Sequence, residues 1–167
     1  MAELTPQERL QPCLLDRLTD EDRSSSQESR ERRVVSVRQL RQAVLRDLGW
    51  LLNASAHMTP EECEEFPDAA KSVLNFGMPD LTGLTASSVD PLDVERMIRD
   101  AIRRFEPRVL PATLRVTHGA ANDTGHNNIF FEIRGDLWAQ PVPEPLFLRT
   151  ELDLETGECG VKERPNG

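Results

Sequence analysis

The sequence predicts an α+β fold: two main helices, then an antiparallel or mixed sheet of three to four strands, with a flexible N-terminal segment in front. Three observations carry this. Apolar residues recur at spacings of three and four in 37–51 and again in 94–105. They alternate with period two in three stretches of 114–152. The stretch SSSQESRERR at 24–33 has no apolar residue. Helical patterns first and strand patterns last define the α+β class. At 167 residues the chain suits one globular domain, and no repeat of a solenoid or propeller period is visible.

The elements follow in order. Residues 1–33 hold a short apolar patch, LQPCLLDRL at 10–18, and then the polar linker. A segment of that polar composition stays flexible, so the domain is expected over 34–167 with 1–33 tethered to it as a partner-binding patch. Ser36 and Gln39 form a capping-box pattern, and Val37, Leu40, Val44, Leu48 and Leu51 make one buried helical face. Asn53 is the expected stop. The acidic run Glu61, Glu62, Glu64 and Glu65 reads as a solvated face, and Pro67 is placed to open a short helix through about Val73. The glycine and proline of SVLNFGMPDLTG (72–83) forbid a continued helix, so its apolar residues must be pinned to the core or to a partner.

The second helix is punctuated by Asp90 as N-cap, Pro91 at the first helical position and Pro107 just past the end. Val94, Ile98, Ala101 and Phe105 form its stripe, and Arg96, Arg99, Arg103 and Arg104 lie on its other side. Strands are expected around Leu114 and Val116, Ile129 to Ile133, and Leu146 to Leu152. A Glu155-Thr156-Gly157 turn then leads into a short last strand at 159–162.

Composition excludes several classes. A formal charge of −9 disfavours a nucleic-acid clamp and an anionic membrane surface. The charge is uneven: residues 96–108 carry five arginines against Asp100 and Glu106. No apolar run reaches the roughly 20 residues of a membrane span, so no direct membrane insertion is expected, and the start lacks a signal-peptide pattern. Cys13, Cys63 and Cys159 are an odd, scattered set that reads as reduced thiols in a cytoplasmic protein. Phosphate-loop, nucleophile-elbow and zinc-protease motifs are missing, so no cofactor is expected. His118, His126 and Cys159 could in principle converge on a metal, but two exposed loop histidines are the simpler reading, and no metal site is assigned. Glu106, between Phe105 and Pro107, is the best single candidate for a glycosidase acid; the favoured alternative is an ion pair with Arg103 or Arg108. On the residues alone, a binding or assembly module is more probable than an enzyme.

Four stretches go further: LLDRLTDED (14–22), LRDLGWLLN (45–53), SVLNFGMPDLTG (72–83) and IRRFEPRVL (102–110). In this order and spacing the chain resembles the TssE family of type VI secretion baseplate proteins, itself similar to a baseplate wedge protein of contractile phage tails. The resemblance extends to PLFLRTELDLETGECGV (145–161) and covers nearly the whole chain apart from the 24–33 linker. It implies a non-enzymatic, cytoplasmic subunit on which a contractile sheath starts to assemble. The family's Glu-Pro-Arg motif falls on Glu106, Pro107 and Arg108, which the resemblance makes a dock for the wedge proteins TssF and TssG, with TssK a further candidate. Pro107 is expected to project Glu106 and Arg108 as rigid opposite charges. Leu14, Leu15, Arg17 and Leu18 would add a wedge contact. The strands from Leu146 to Lys162, Leu148 and Leu152 among them, would offer edges to the sheath proteins TssB and TssC. The family's "lysozyme-like" label implies the alternative, a peptidoglycan-cleaving glycosidase using Glu106.

Overall fold

The computed structural model describes residues 13–18, 37–81, 88–119, 128–139 and 142–164. The expected Ser36 cap, the 24–33 linker and His126 lie outside the described residues. The elements are α1 (Leu14–Leu18), α2 (Val37–Asn53), α3 (Pro60–Glu65), α4 (Pro67–Ala70), a 3-10 turn (Val73–Asn75), α5 (Pro91–Phe105), β1 (Arg115–His118), β2 (Asn128–Leu137), β3 (Glu144–Asp153) and β4 (Cys159–Glu163).

Among the described residues the four strands form one antiparallel meander in the order β1-β2-β3-β4. This is the expected α+β class, with the sheet wholly antiparallel. Period-two alternation puts Phe131, Ile133 and Leu137 of β2 on the same face as Leu146, Leu148 and Leu152 of β3. Against that face pack Leu40, Val44, Leu48 and Leu51 of α2 with Val94, Ile98 and Ile102 of α5. Arg41 ties α2 to the strands, donating to Glu163 at 2.6 Å and to the Pro145 carbonyl at 3.1 Å.

Local chemistry sets the boundaries. Asp90 accepts the Leu92 N–H and Pro91 opens α5, whose last turn holds Arg103 and Arg104. α3 was not foreseen in the acidic run: Thr59 and Glu62 form a reciprocal capping box, with Pro60 opening the helix. The helix expected from Pro67 to about Val73 stops at Ala70, because Ser72 caps a 3-10 turn by accepting the Leu74 N–H.

Of the SVLNFGMPDLTG stretch, the described residues 72–81 are pinned at Gly77, whose φ is +125°. A Cβ there would lie 2.2 Å from the Ala54 carbonyl oxygen, so only glycine fits. Met78 and the end of α2 then exchange backbone hydrogen bonds, Met78 N to Ala54 O and Ala56 N to Met78 O, both at 2.8 Å. Buried Asn75 accepts the Met58 N–H at 3.1 Å, and Phe76 meets Phe105 edge-on at 5.2 Å.

Candidate functional site

The end of α5 runs into a turn that holds its charges inward. Glu106 is 3% exposed and closes the helix by donating its N–H to Ile102 O at 2.9 Å. Its Oε1 accepts from the Arg108 backbone N–H at 3.1 Å and from Arg108 Nε at 2.7 Å, and Oε2 accepts from Arg108 Nη2. Pro107 fixes the backbone between them. The next residues join the sheet: Trp138 N donates to Arg108 O at 2.7 Å and Leu110 N to Asp136 O at 2.8 Å.

Arg108 reaches on to α2, donating from Nη2 to Asp47 Oδ2 at 2.6 Å. Asp47 Oδ1 accepts from Arg46 Nε at 2.8 Å, and Arg46 Nη1 donates to Asp16 Oδ1 of α1 at 2.6 Å. Cys13 Sγ donates to the other Asp16 oxygen at 2.9 Å. Five alternating charges therefore run from the end of α5 across α2 to α1. Burial penalises the Arg108 cation, but the Glu106 and Asp47 carboxylates outweigh it and raise its pKa. Burial also pushes Asp16 up, and its hydrogen bonds from Arg46 and Cys13 more than reverse this, leaving it below the usual carboxylate value.

Beside this ladder lies an apolar groove of about 560 Å³, lined by Leu15, Leu40, Trp50, Leu51, Phe76 and Phe105, with the Glu106-Pro107-Arg108 turn as one wall. Trp50 is 53% exposed, and Arg46 stacks over its ring at 5.0 Å. Leu14 and Leu18 of α1 are 71% and 74% exposed and Leu15 partly so. The side chain of Arg17 lies outside the described residues.

Several expectations change. Pro107 is expected to project Glu106 and Arg108 as rigid opposite charges toward a partner; instead Glu106 is buried and Arg108 closes on it, which is the ion pair favoured from their sequence proximity. With both oxygens engaged by Arg108, Glu106 also presents no accessible acid to a glycan. Leu148 and Leu152 are core residues, 2% and 4% exposed, so any contact made by β3 and β4 must come through backbone and outward-facing side chains. His118 and Cys159 lie on β1 and β4, the opposite edges of the sheet. Trp50 and the ladder residues Asp47 and Arg46 were missed as site residues; the only sequence signal was a tryptophan beside the buried stripe of an amphipathic helix.

The two sheet edges differ. On β1, Gly119 N donates to Phe130 O, which turns the backbone of Val116 and His118 outward by alternation. Glu95 of α5 accepts both the outward His118 N–H at 2.7 Å and His118 Nδ1 at 2.6 Å. On β4, Arg164 N donates to Phe147 O, so Cys159, Val161 and Glu163 turn outward. The Asn53 side chain pairs with both backbone groups of Cys159, at 2.8 and 2.9 Å. Val161 and Glu163 continue the outer edge beyond it.

An apolar groove walled by a locked charged turn, on a small scaffold, is a surface suited to contact with another protein. The chain belongs to the baseplate wedge protein gp25 family, whose family model matches residues 38–142. The match runs from α2 to residue 142, and so includes the α2 and α5 sides of the groove, the Glu106-Pro107-Arg108 turn and Gly77, but not Leu15 of α1. A search of curated proteins and one of solved structures returned no match. The family places the chain in a structural role in a phage-tail-like baseplate, among other baseplate and tail components. Among the described residues no helix is long and apolar enough to cross a membrane.

Proposed function

We propose that this chain is a non-enzymatic, cytoplasmic baseplate subunit of a type VI secretion system. In this reading it docks on the wedge proteins TssF and TssG, with TssK a further candidate, through the groove walled by Glu106-Pro107-Arg108, and offers the β4 edge to the first ring of TssB and TssC. The observation that carries the reading is the groove itself. It is apolar, open, rimmed by half-exposed Trp50, and shaped by a turn whose charges are already neutralised within the chain. Such a turn acts as a rigid wall rather than as a pair of free charges. A partner helix covering Trp50 and the exposed leucines of α1 would bury apolar area without desolvating an unpaired ion. Residues 1–33 would act as a tethered element that adds to this contact. For the sheath, Val161 and Glu163 supply the outward backbone groups that strand addition requires, whereas Glu95 occupies the outward His118 N–H of β1.

The test is a pull-down from a lysate of the native host, read by mass spectrometry, comparing the full chain with Trp50→Asp. Recovery of wedge and sheath proteins by the parent, with loss of the wedge proteins alone in the variant, supports the reading. Failure to recover either class, or equal recovery by the variant, overturns it.

A further inference from the structure

Two rows on the outer face of the sheet, turned away from the helices, carry charge opposite in sign to the chain, while Asp136, Glu151 and Asp153 lie on the same face outside them. Register places Arg115 directly across from Arg134, Arg134 across from Phe147, and Phe147 beside Arg164. The next row runs Thr117, Glu132, Arg149 and Lys162. Two adjacent rows therefore hold five cations and one carboxylate, in a protein whose formal charge is −9. Like charges directly opposite one another weaken a strand pair, and this face has two such pairs, Arg115 with Arg134 and Arg149 with Lys162.

Local contacts keep the patch in place and offset only part of its charge, one carboxylate being shared by two arginines. Glu132 holds Arg134 and Arg164 at 2.7 Å each, and both arginines remain about 60% exposed, at 59% and 62%. Arg149 lies over the Phe130 ring at 4.7 Å, a contact that fixes its guanidinium but leaves its charge. Arg115 bends to the Ala112 and Leu114 carbonyls. Within a row neighbouring strands lie about 4.8 Å apart, and the two rows are two residues, about 6.8 Å, apart along each strand, which makes a ladder of cations rather than a scattered set.

We infer that this outer sheet face is a docking surface for an acidic, extended segment of a partner protein, read by Arg134, Arg149, Lys162 and Arg164. Charge complementarity selects the occupant. Guanidinium forks suit carboxylates presented along an extended chain. A long nucleic acid would extend past these two rows onto the acidic remainder of the chain, whereas a short extended segment stays within them. The surface lies away from the groove and uses the outward side chain of Lys162 on β4, not the free backbone of Val161 and Glu163, so the Trp50 pull-down and the peptide titration test the two readings separately.

The experiment uses the full chain and a fluorescein-labelled oligoglutamate peptide, followed by anisotropy at low and high salt. Saturable binding is expected, weakened by salt and reduced roughly tenfold or more in the double variant Arg134→Ser/Arg164→Ser. The control Arg96→Ser/Arg99→Ser, on α5, should bind as the parent does. Thermal melting of each variant verifies its fold, and shifts confined to β2–β4 amides on titration provide a second readout. No binding, equal loss in the α5 control, or no loss in the sheet variant overturns the inference. Tighter binding of duplex DNA through the same arginines overturns the class of partner.

Discussion

Both oxygens of the Glu106 carboxylate close on the guanidinium of Arg108, two residues along, and Arg108 carries that contact on to Asp47 at 2.6 Å. The turn that family resemblance marks as a dock is thus first an internal clamp between the end of α5 and α2. Glu106→Ala should therefore unfold the chain more easily, by about 2–3 kcal/mol in a urea melt, because it leaves a half-buried cation with one partner fewer. A melt within experimental error of the parent would show the clamp to be dispensable. For the same reason Glu106 variants alone cannot separate docking from folding, whereas exposed Trp50 can.

Gly77→Ala should cost more than about 3 kcal/mol, since it combines a left-handed φ with a Cβ driven into the Ala54 carbonyl. Thermal denaturation of the variant is the measurement. Wild-type stability would mean that the segment around Gly77 and Met78 is not locked to the end of α2 in solution.

Glu95→Ala should open the β1 edge. Hydrogen exchange at the His118 amide should accelerate, with a loss of about 1–3 kcal/mol for the missing charged acceptor. Burial raises the Glu95 pKa, but the two His118 contacts outweigh it and hold it below its ordinary value of 4.5. A depressed carboxylate stabilises above its unfolded value, so this contribution is full above about pH 4.5 and is lost as pH falls through the lower folded value. Unchanged exchange at His118 in Glu95→Ala would remove the edge-closing role.

Cys159 is buried, and burial pushes its thiol up to about 12, whereas Cys13 and Cys63 are partly exposed. Iodoacetamide at mildly alkaline pH should label Cys13 and Cys63 in the native protein and Cys159 only after denaturation. Rapid native labelling of Cys159, read by peptide mass spectrometry, would show that Asn53 and α2 do not cover the start of β4.

Much of this fold was legible where a signal is local. Asp90 and Pro91 announced α5, period two announced β2 and β3, and Glu155-Thr156-Gly157 announced the hairpin, where Asp153 Oδ1 accepts the Glu155 and Thr156 N–H groups. α3 was legible too, because Thr59-Pro60-Glu61-Glu62 is a capping box hidden inside a run read as mere acidity. The site was legible only in part. Sequence proximity suggested the pairing of Glu106 with Arg108, but its inward direction depends on Asp47, which lies 61 residues from Arg108. Arg46 to Asp16 is likewise a tertiary contact, 30 residues apart, that no spacing rule supplies. The outer cationic rows needed strand register, since a shift of one residue would have turned them inward.

The central claim is that this chain seeds a contractile sheath from a baseplate, and sheath assembly in living cells tests it most directly. A host strain lacking the chain, with its sheath protein made fluorescent, should show no elongated sheaths. The parent chain should restore them, and Trp50→Asp, folded but with its groove rim charged, should not. Sheaths that assemble normally without the chain would contradict the account.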